Sequence, residues 1–406
     1  MSQRILVVGS GAVGGGIATA LAQRPFFERC VVADLDEHRA EHALRAIDDE
    51  RFAAAPLDAS DAEQIAQLAR AERIDVIVNA VDPRLNPPVF HGAFAAGCDY
   101  VDMAMTLSTP HPERPHELAG VKLGDDQFAV ADEWEQRGRL ALVGMGVEPG
   151  LSDVFARYAA DHLFDDIDEI GVRDGANLEI EGYDFAPTFS IWTTIEECLN
   201  PPLIWERERG WFTTAPFSEP EVFVFPDGIG PVECVNVEHE EVVLIPQWID
   251  CNRVTFKYGL GDEFIEVLRV LDKTGLAAKE PIRVRGVEIA PRDVVAAALP
   301  DPATLGERMT GKTCAGTWVT GTKDGARREV YLSHVADNTE TMGRHGIQAV
   351  AWQTAINPAI ALELLATGLW QGVGVLGPEA FDAMPFLDAL SERGESWHLD
   401  DRTPTR

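Results

Sequence analysis

The tightest constraint on this chain is Gly9-Ser10-Gly11-Ala12-Val13-Gly14, set between the apolar run Ile5–Val8 and the helix-forming stretch Ile17–Leu21. At a strand-to-helix junction this spacing gives the three glycines distinct roles in a tight turn, backbone approach to a pyrophosphate, and close helix packing. The next apolar run ends at Asp34, twenty residues after Gly14, placed to accept hydrogen bonds from adenosine ribose hydroxyls. The pattern predicts a dinucleotide-binding turn whose phosphates meet the free N–H groups at a helix N-terminus. Contacts to the cofactor are expected from Gly9, Gly11, Ala12, Val13, Gly14 and Asp34. The charge of Asp34 disfavours a 2′-phosphate, so NAD is expected over NADP, with Arg39 nearby as the opposing feature. Gly15 and Gly16 are not required by the pattern and are assigned to close packing of the helix.

Further apolar runs alternate with segments of helical spacing as far as LALVGMG at 140–146. The runs FAAAPLD, DVIVNAVD, DYVDMAM and LALVGMG complete six strands, and Ser60 with Glu63 three residues later predicts the N-cap of one intervening helix. Repeated β-α units of this length predict a doubly wound parallel sheet, the Rossmann α/β architecture. Ligands bind outside the carboxyl ends of such strands, which brings Asn79, Ala80 and Val81 to the nicotinamide ribose. Asp58, after the third strand, is placed to touch the adenine or to cap the next helix.

From about residue 168 the pattern changes to β-like stretches such as EVFVF, EEVVLIP and VTFKYGL, with a hairpin at GTWVTGTKDGARREVYLSHV. This predicts a second, α+β domain on a mostly antiparallel sheet, followed by a helix in QAVAWQTAINPAIALELLATG and a loosely held polar tail, ESWHLDDRTPTR. The expected division is 1–147, 148–343 and 344–406.

Acidic residues outnumber Lys and Arg by 67 to 34, a net charge of −33. That excess opposes nucleic-acid binding and is compatible with a cationic small molecule, but it reads first as a salt-adapted or simply very soluble surface. No run of 18 apolar residues and no basic-then-apolar leader occurs, so a cytoplasmic protein without a membrane partner is expected. The six cysteines lack CxxC spacing, so neither disulfides nor a metal site is expected.

No Ser-His-Asp set, P-loop lysine or HExxH is present, which leaves hydride transfer beside a nicotinamide. Two carboxylates stand where strand ends converge, Asp102 after the fifth strand and Glu148 in GMGVEPG after the sixth. Either can hold a substrate ammonium or handle a proton; each also reads as an ordinary turn acid. Trp192 and Thr193 are candidates for a substrate wall, although a buried tryptophan is more often core. Arg344 and His345, in MGRHG, read equally as carboxylate ligands or surface residues.

GSGAVG, CDYVDMA, GMGVEPGLSDVFA, SIWTTIEECLNPP and QTAINPAIALELLATG together resemble the saccharopine dehydrogenase family, in order and over nearly the whole chain. That group spans saccharopine reductases, carboxynorspermidine dehydrogenases and lysine 6-dehydrogenases. The resemblance implies a Rossmann domain completed by the C-terminal segment, an inserted substrate and dimerisation domain, and homodimers. It implies NAD- or NADP-dependent oxidation of an amine C–N bond, or the reverse, on an amino-acid-derived amine. Two departures stand out: Glu148 where the family commonly has aspartate before Pro-Gly, and Ala33-Asp34-Leu35-Asp36 where NADP-using members often carry Ser-Arg. Other readings of the same motifs are a homospermidine-synthase-like transferase with bound NAD, and a non-catalytic NAD-binding protein.

Overall fold

The structure, a computed structural model, describes residues 3–22 and 24–404. In β1 (Gln3–Val8) Ile5, Leu6, Val7 and Val8 are all buried, as a central parallel strand covered on both faces requires. The chain continues through α1 (Ala12–Ala22), β2 (Phe27–Asp34), α2 (Glu37–Leu44), β3 (Phe52–Pro56), α3 (Ala62–Glu72), β4 (Val76–Asn79), α4 (Asn86–Ala96), β5 (Asp99–Asp102) and β6 (Leu140–Leu142). These strands pair in parallel in the order β6-β5-β4-β1-β2-β3, the expected doubly wound sheet. A seventh strand, Gly374–Leu376, adds in parallel beside β6. Three residues carry too little pattern to reveal it in advance. Strand order reverses between β1 and β4, and the crevice beyond their carboxyl ends is where a ligand fits.

The second sheet is mixed and nine-stranded. Its spine runs from Arg253–Gly259 through Asp166–Ala176, paired in parallel, to the antiparallel strands Lys312–Lys323 and Ala326–Asp337. The last two form the expected hairpin, turned at Asp324 and Gly325 with φ of 52° and 74°, the positive pair of a type I′ turn.

Three local expectations fail for identifiable reasons. Helix α3 is capped by Asp61, whose Oδ1 accepts the N–H groups of Glu63 and Gln64, while Ser60 lies one residue too early and donates to Asp58. EEVVLIP is not a strand but opens the helix Glu241–Trp248. Val242, Val243, Leu244 and Ile245 are all buried there, and a wholly apolar run fits a buried helix as well as a strand. The tail is not loose, because Trp397–Asp401 adds to the second sheet as the strand beyond Ala326–Asp337 and the Trp397 ring meets Tyr158 edge-on at 5.4 Å.

The late helix Ala349–Thr367 is long and apolar enough to cross a membrane, yet 78% of its most apolar window is buried inside the protein. It packs on α1 so closely that a Cβ at Gly16 would stand 2.7 Å from the Cβ of Ala355. Gly16 is thus a contact surface for a helix distant in sequence, whereas Gly15 faces Ala43 at an ordinary 3.6 Å. All six cysteines are buried free thiols.

Candidate active site

The glycine turn is shaped by exclusion on one side and openness on the other. Gly9 has φ of 104°, and a Cβ there would stand 2.5 Å from the Ala80 carbonyl oxygen. A Cβ on Gly14 would overlap the Gly9 carbonyl, while one on Gly11 would meet nothing within 4 Å. Gly11 therefore faces open space at the start of α1, the approach a pyrophosphate needs. Asp34 Oδ2 accepts both the N–H (3.0 Å) and the hydroxyl (2.7 Å) of Ser10. Its Oδ1 has only a 3.3 Å contact with the Asp36 N–H, which leaves it able to accept from a ribose. Burial opposes the Asp34 charge, but the Ser10 bonds, with the Asp36 N–H and the charge of Arg39, together hold the carboxyl below its usual range.

Two adjoining depressions run from this turn. One, about 730 Å³, follows Gly15, Gly16, Asp36, His38 and Arg39 towards His345, whose ring stacks on Trp352 at 3.7 Å. The other, about 290 Å³, is a cleft lined by Gly11, Ala12, Val13, Asn79, Ala80 and Val81 on one side and by Glu148, Thr193, Glu197 and Glu240 on the other. Gly11, Ala12, Arg39 and Gln348 border both, so the pair forms one extended groove suited to a dinucleotide's length. The open face of Gly11 and the available Asp34 oxygen fit NAD(P) there, the adenosine in the first depression and the nicotinamide in the cleft.

Glu148 is brought to the cleft by a loop folded on itself. The Gly146 N–H donates to the Pro149 carbonyl at 2.7 Å, and Gly150, at φ of 133°, has its N–H taken by Asp153 Oδ2 at 2.7 Å. Glu148 Oε1 is buried without a hydrogen-bond partner. Burial, with Asp174 and Glu241 adding repulsion, pushes the Glu148 carboxyl well above its usual range. Burial also lifts its neighbour Asp174 to about 6, so the two carboxyls keep a shared proton near neutrality.

Glu197 and Glu240 do not stand out in the sequence. Glu197 lies one turn along the helix Ile191–Leu199 from Thr193, a spacing that puts both on one face. Glu240 anchors through Oε1 to the Met105 N–H at 3.1 Å. Burial pushes Glu197 up to about 8, with His239 acting against the shift. Behind them His239 donates from Nδ1 to Glu241 Oε2 at 2.6 Å, and its ring stacks on Phe256 at 3.8 Å. Burial works against its charge, but Glu241, Glu240 and Glu197 raise its pKa to about 10. His239, Glu240 and Glu241 lie as close as metal ligands would; His239 Nδ1 is 2.6 Å from Glu241 and 3.5 Å from Glu240, and Glu241 Oε1 also accepts from Ser152 at 2.9 Å.

Several candidates lie elsewhere. Asp102 is 1% exposed and does not reach the cleft. Its carboxylate accepts the Gly144 N–H at 2.7 Å, Asn86 Nδ2 at 2.9 Å and Gln127 Nε2 at 2.8 Å. Burial lifts it to about 6 against those bonds, and its role is to tie the end of β5 to the loop that follows β6. Trp192 is 5% exposed and sandwiched between the guanidinium groups of Arg84 (4.0 Å) and Arg292 (4.7 Å), with Nε1 donating to Asp293. It packs behind Thr193 rather than lining the cleft. Asp58 closes the turn before α3 on Ser60 and borders neither depression. Asn79, by contrast, borders the cleft, though it is 4% exposed and its amide donates to the Tyr100 hydroxyl at 3.0 Å.

Comparison with known proteins bears on the whole chain. Residues 5–142 match the saccharopine dehydrogenase NADP binding domain, and residues 146–395 match the saccharopine dehydrogenase C-terminal domain. Carboxynorspermidine synthase of Vibrio alginolyticus is 30% identical over 98% of this chain and 97% of its own. Carboxyaminopropylagmatine dehydrogenase of Synechocystis is 28% identical, with 97% of each covered. The fold is that of the apo saccharopine dehydrogenase (L-Glu forming) of Saccharomyces cerevisiae, with a TM-score of 0.70 at 15% identity over 98% of this chain and 100% of that one. With both halves matched in order around one dinucleotide groove, the chain belongs to the saccharopine dehydrogenase family of NAD(P)-binding oxidoreductases.

Proposed function

We propose that this enzyme transfers hydride at the C–N bond of a polyamine-type amine carrying an amino-acid-derived group. The observation that carries the reading is the carboxyl-rich lining of the cleft. Glu148, Glu197, Glu240, Asp82 and Asp301 line it, and among the described residues Arg39 is its one lining Lys or Arg. A cation entering this wall favours the ionised form of Glu197, whose carboxyl burial raises to about 8, while a free carboxylate is repelled unless Arg39 meets it. The names of the Vibrio and Synechocystis relatives point the same way.

Bound NAD(P)H supplies a hydride from the nicotinamide C4. Glu197 and Glu240 hold the cationic substrate and exclude water from one face. Glu148, keeping a proton with Asp174, gives it to the substrate nitrogen as the carbon of a C=N bond accepts hydride; in the reverse direction it takes that proton back. Asp34 supports a preference for NAD, and the divisions at 147/148 and 343/344 separate cofactor and substrate functions.

The test is a screen of lysine, saccharopine, diamines and carboxynorspermidine with NAD and NADP in both directions, followed by nicotinamide absorbance. Turnover with an amine is expected. Absence of any absorbance change would overturn the reading, and amine exchange without net change would replace it with the transferase.

A further inference from the structure

A second cavity of about 550 Å³ adjoins the cleft, and Thr188 and Phe189 border both. Neighbouring residues of one helix face different spaces, Thr193 the cleft and Thr194 the cavity. Tyr258 lines the cavity and Glu148 lines the cleft, with Asp174 as a close acidic neighbour of Glu148.

The cavity has two kinds of lining. Phe185 and Phe264 pack at 5.0 Å between ring centroids, and Tyr183 stands at the rim, 41% exposed. Asp184, Asp262 and Glu263 add carboxylates, and no Lys, Arg or His lines the space among the described residues. Unpaired surface acids alone mean little in a chain with a net charge of −33. Aromatic faces and carboxylates around one concavity are different, because together they replace the hydration of a cation, as the Arg308 guanidinium 5.9 Å from the Tyr183 ring centre already illustrates at the rim. The cleft must hold the nicotinamide as well as the reacting carbon, so a long substrate has to extend beyond it.

We infer that this cavity receives the distal cationic end, a primary ammonium or guanidinium, of an extended amine whose reacting nitrogen lies in the cleft. The orientation rests on the proposed amine activity; the cavity's affinity for a cation does not.

The experiment compares putrescine with butylamine, equal in carbon count but differing in the distal charge, using the full chain with NAD(P). Wild-type enzyme is expected to favour putrescine at least about tenfold in kcat/KM. The rim substitutions Asp184→Asn with Glu263→Gln, and separately Tyr183→Ala, are expected to erase that preference while leaving butylamine unchanged. Equal loss for both amines, or no wild-type preference, overturns the inference. Should neither amine be turned over, calorimetric titration of putrescine into the cofactor-loaded protein decides it independently. Binding that weakens about tenfold in the rim variants supports the cavity, and no binding, or binding indifferent to them, sinks it.

Discussion

Glu148 holds its Oε1 buried and unbonded beside Asp174, an arrangement that costs stability and gives a carboxyl able to carry a proton near neutral pH. Glu148→Gln keeps the shape and removes the proton. We expect kcat to fall by about two orders of magnitude with little change in cofactor affinity. In the reductive direction kcat/KM should decline as pH rises through the titration of the Glu148–Asp174 pair, and that limb should vanish in the variant; an unaltered profile would return Glu148 to a structural role. Asp34→Ala should weaken NAD binding and narrow its advantage over NADP, measured by calorimetry with each cofactor. Glu379 is a different kind of residue, fully buried, with neither carboxylate oxygen hydrogen-bonded and Asp153 as its close acidic neighbour. Burial pushes its pKa to about 7, so between its ordinary value and 7 the unfolded chain releases a proton that the fold retains. Stability from this group is therefore lost as pH rises through that window. Glu379→Gln should raise stability at pH 8 by roughly 1–3 kcal/mol and flatten the pH dependence of the denaturation midpoint.

At the scale of elements, the pairing of α1 with helix Ala349–Thr367 closes the cofactor sheet across the length of the chain. The two neighbouring glycines of α1 should respond oppositely. Gly16→Val meets Ala355 and should cost about 1–3 kcal/mol, whereas Gly15→Ala, with room at 3.6 Å, should gain up to about 1 kcal/mol from helix propensity. Thermal denaturation of the cofactor-free proteins measures both. Elements of the two sheets were legible in the sequence to different depths. Periodicity located the strands of the first sheet except Gly374–Leu376, because β-α alternation is a local signal repeated many times. It misread EEVVLIP, whose core VVLI is wholly apolar, and the Asp61 cap, where Asp58, Ser60 and Asp61 offer competing side-chain acceptors within four residues.

Across the whole molecule the acidic excess makes a prediction of its own. A surface of this charge concentrates cations near the cleft, so KM for a cationic amine should rise with ionic strength, from well below physiological salt to well above it, with kcat little changed. A salt-independent KM would show that the pocket carboxylates act alone. The dinucleotide turn, the parallel sheet, the hairpin at Asp324-Gly325 and the position of Glu148 were all legible from residue order, since each depends on neighbours a few positions apart or on one strand's end. The rest of the site was not. Glu197 and Glu240 look like any two of 67 acids until the helix Ile191–Leu199 and the start of the helix Glu241–Trp248 bring them to the cleft. Asp102 and Trp192 stand at promising positions but turn inward, because three donors wait for one and two guanidinium groups enclose the other. Burial and long-range charge set which carboxyls meet a ligand, and both are properties of what surrounds a residue in space.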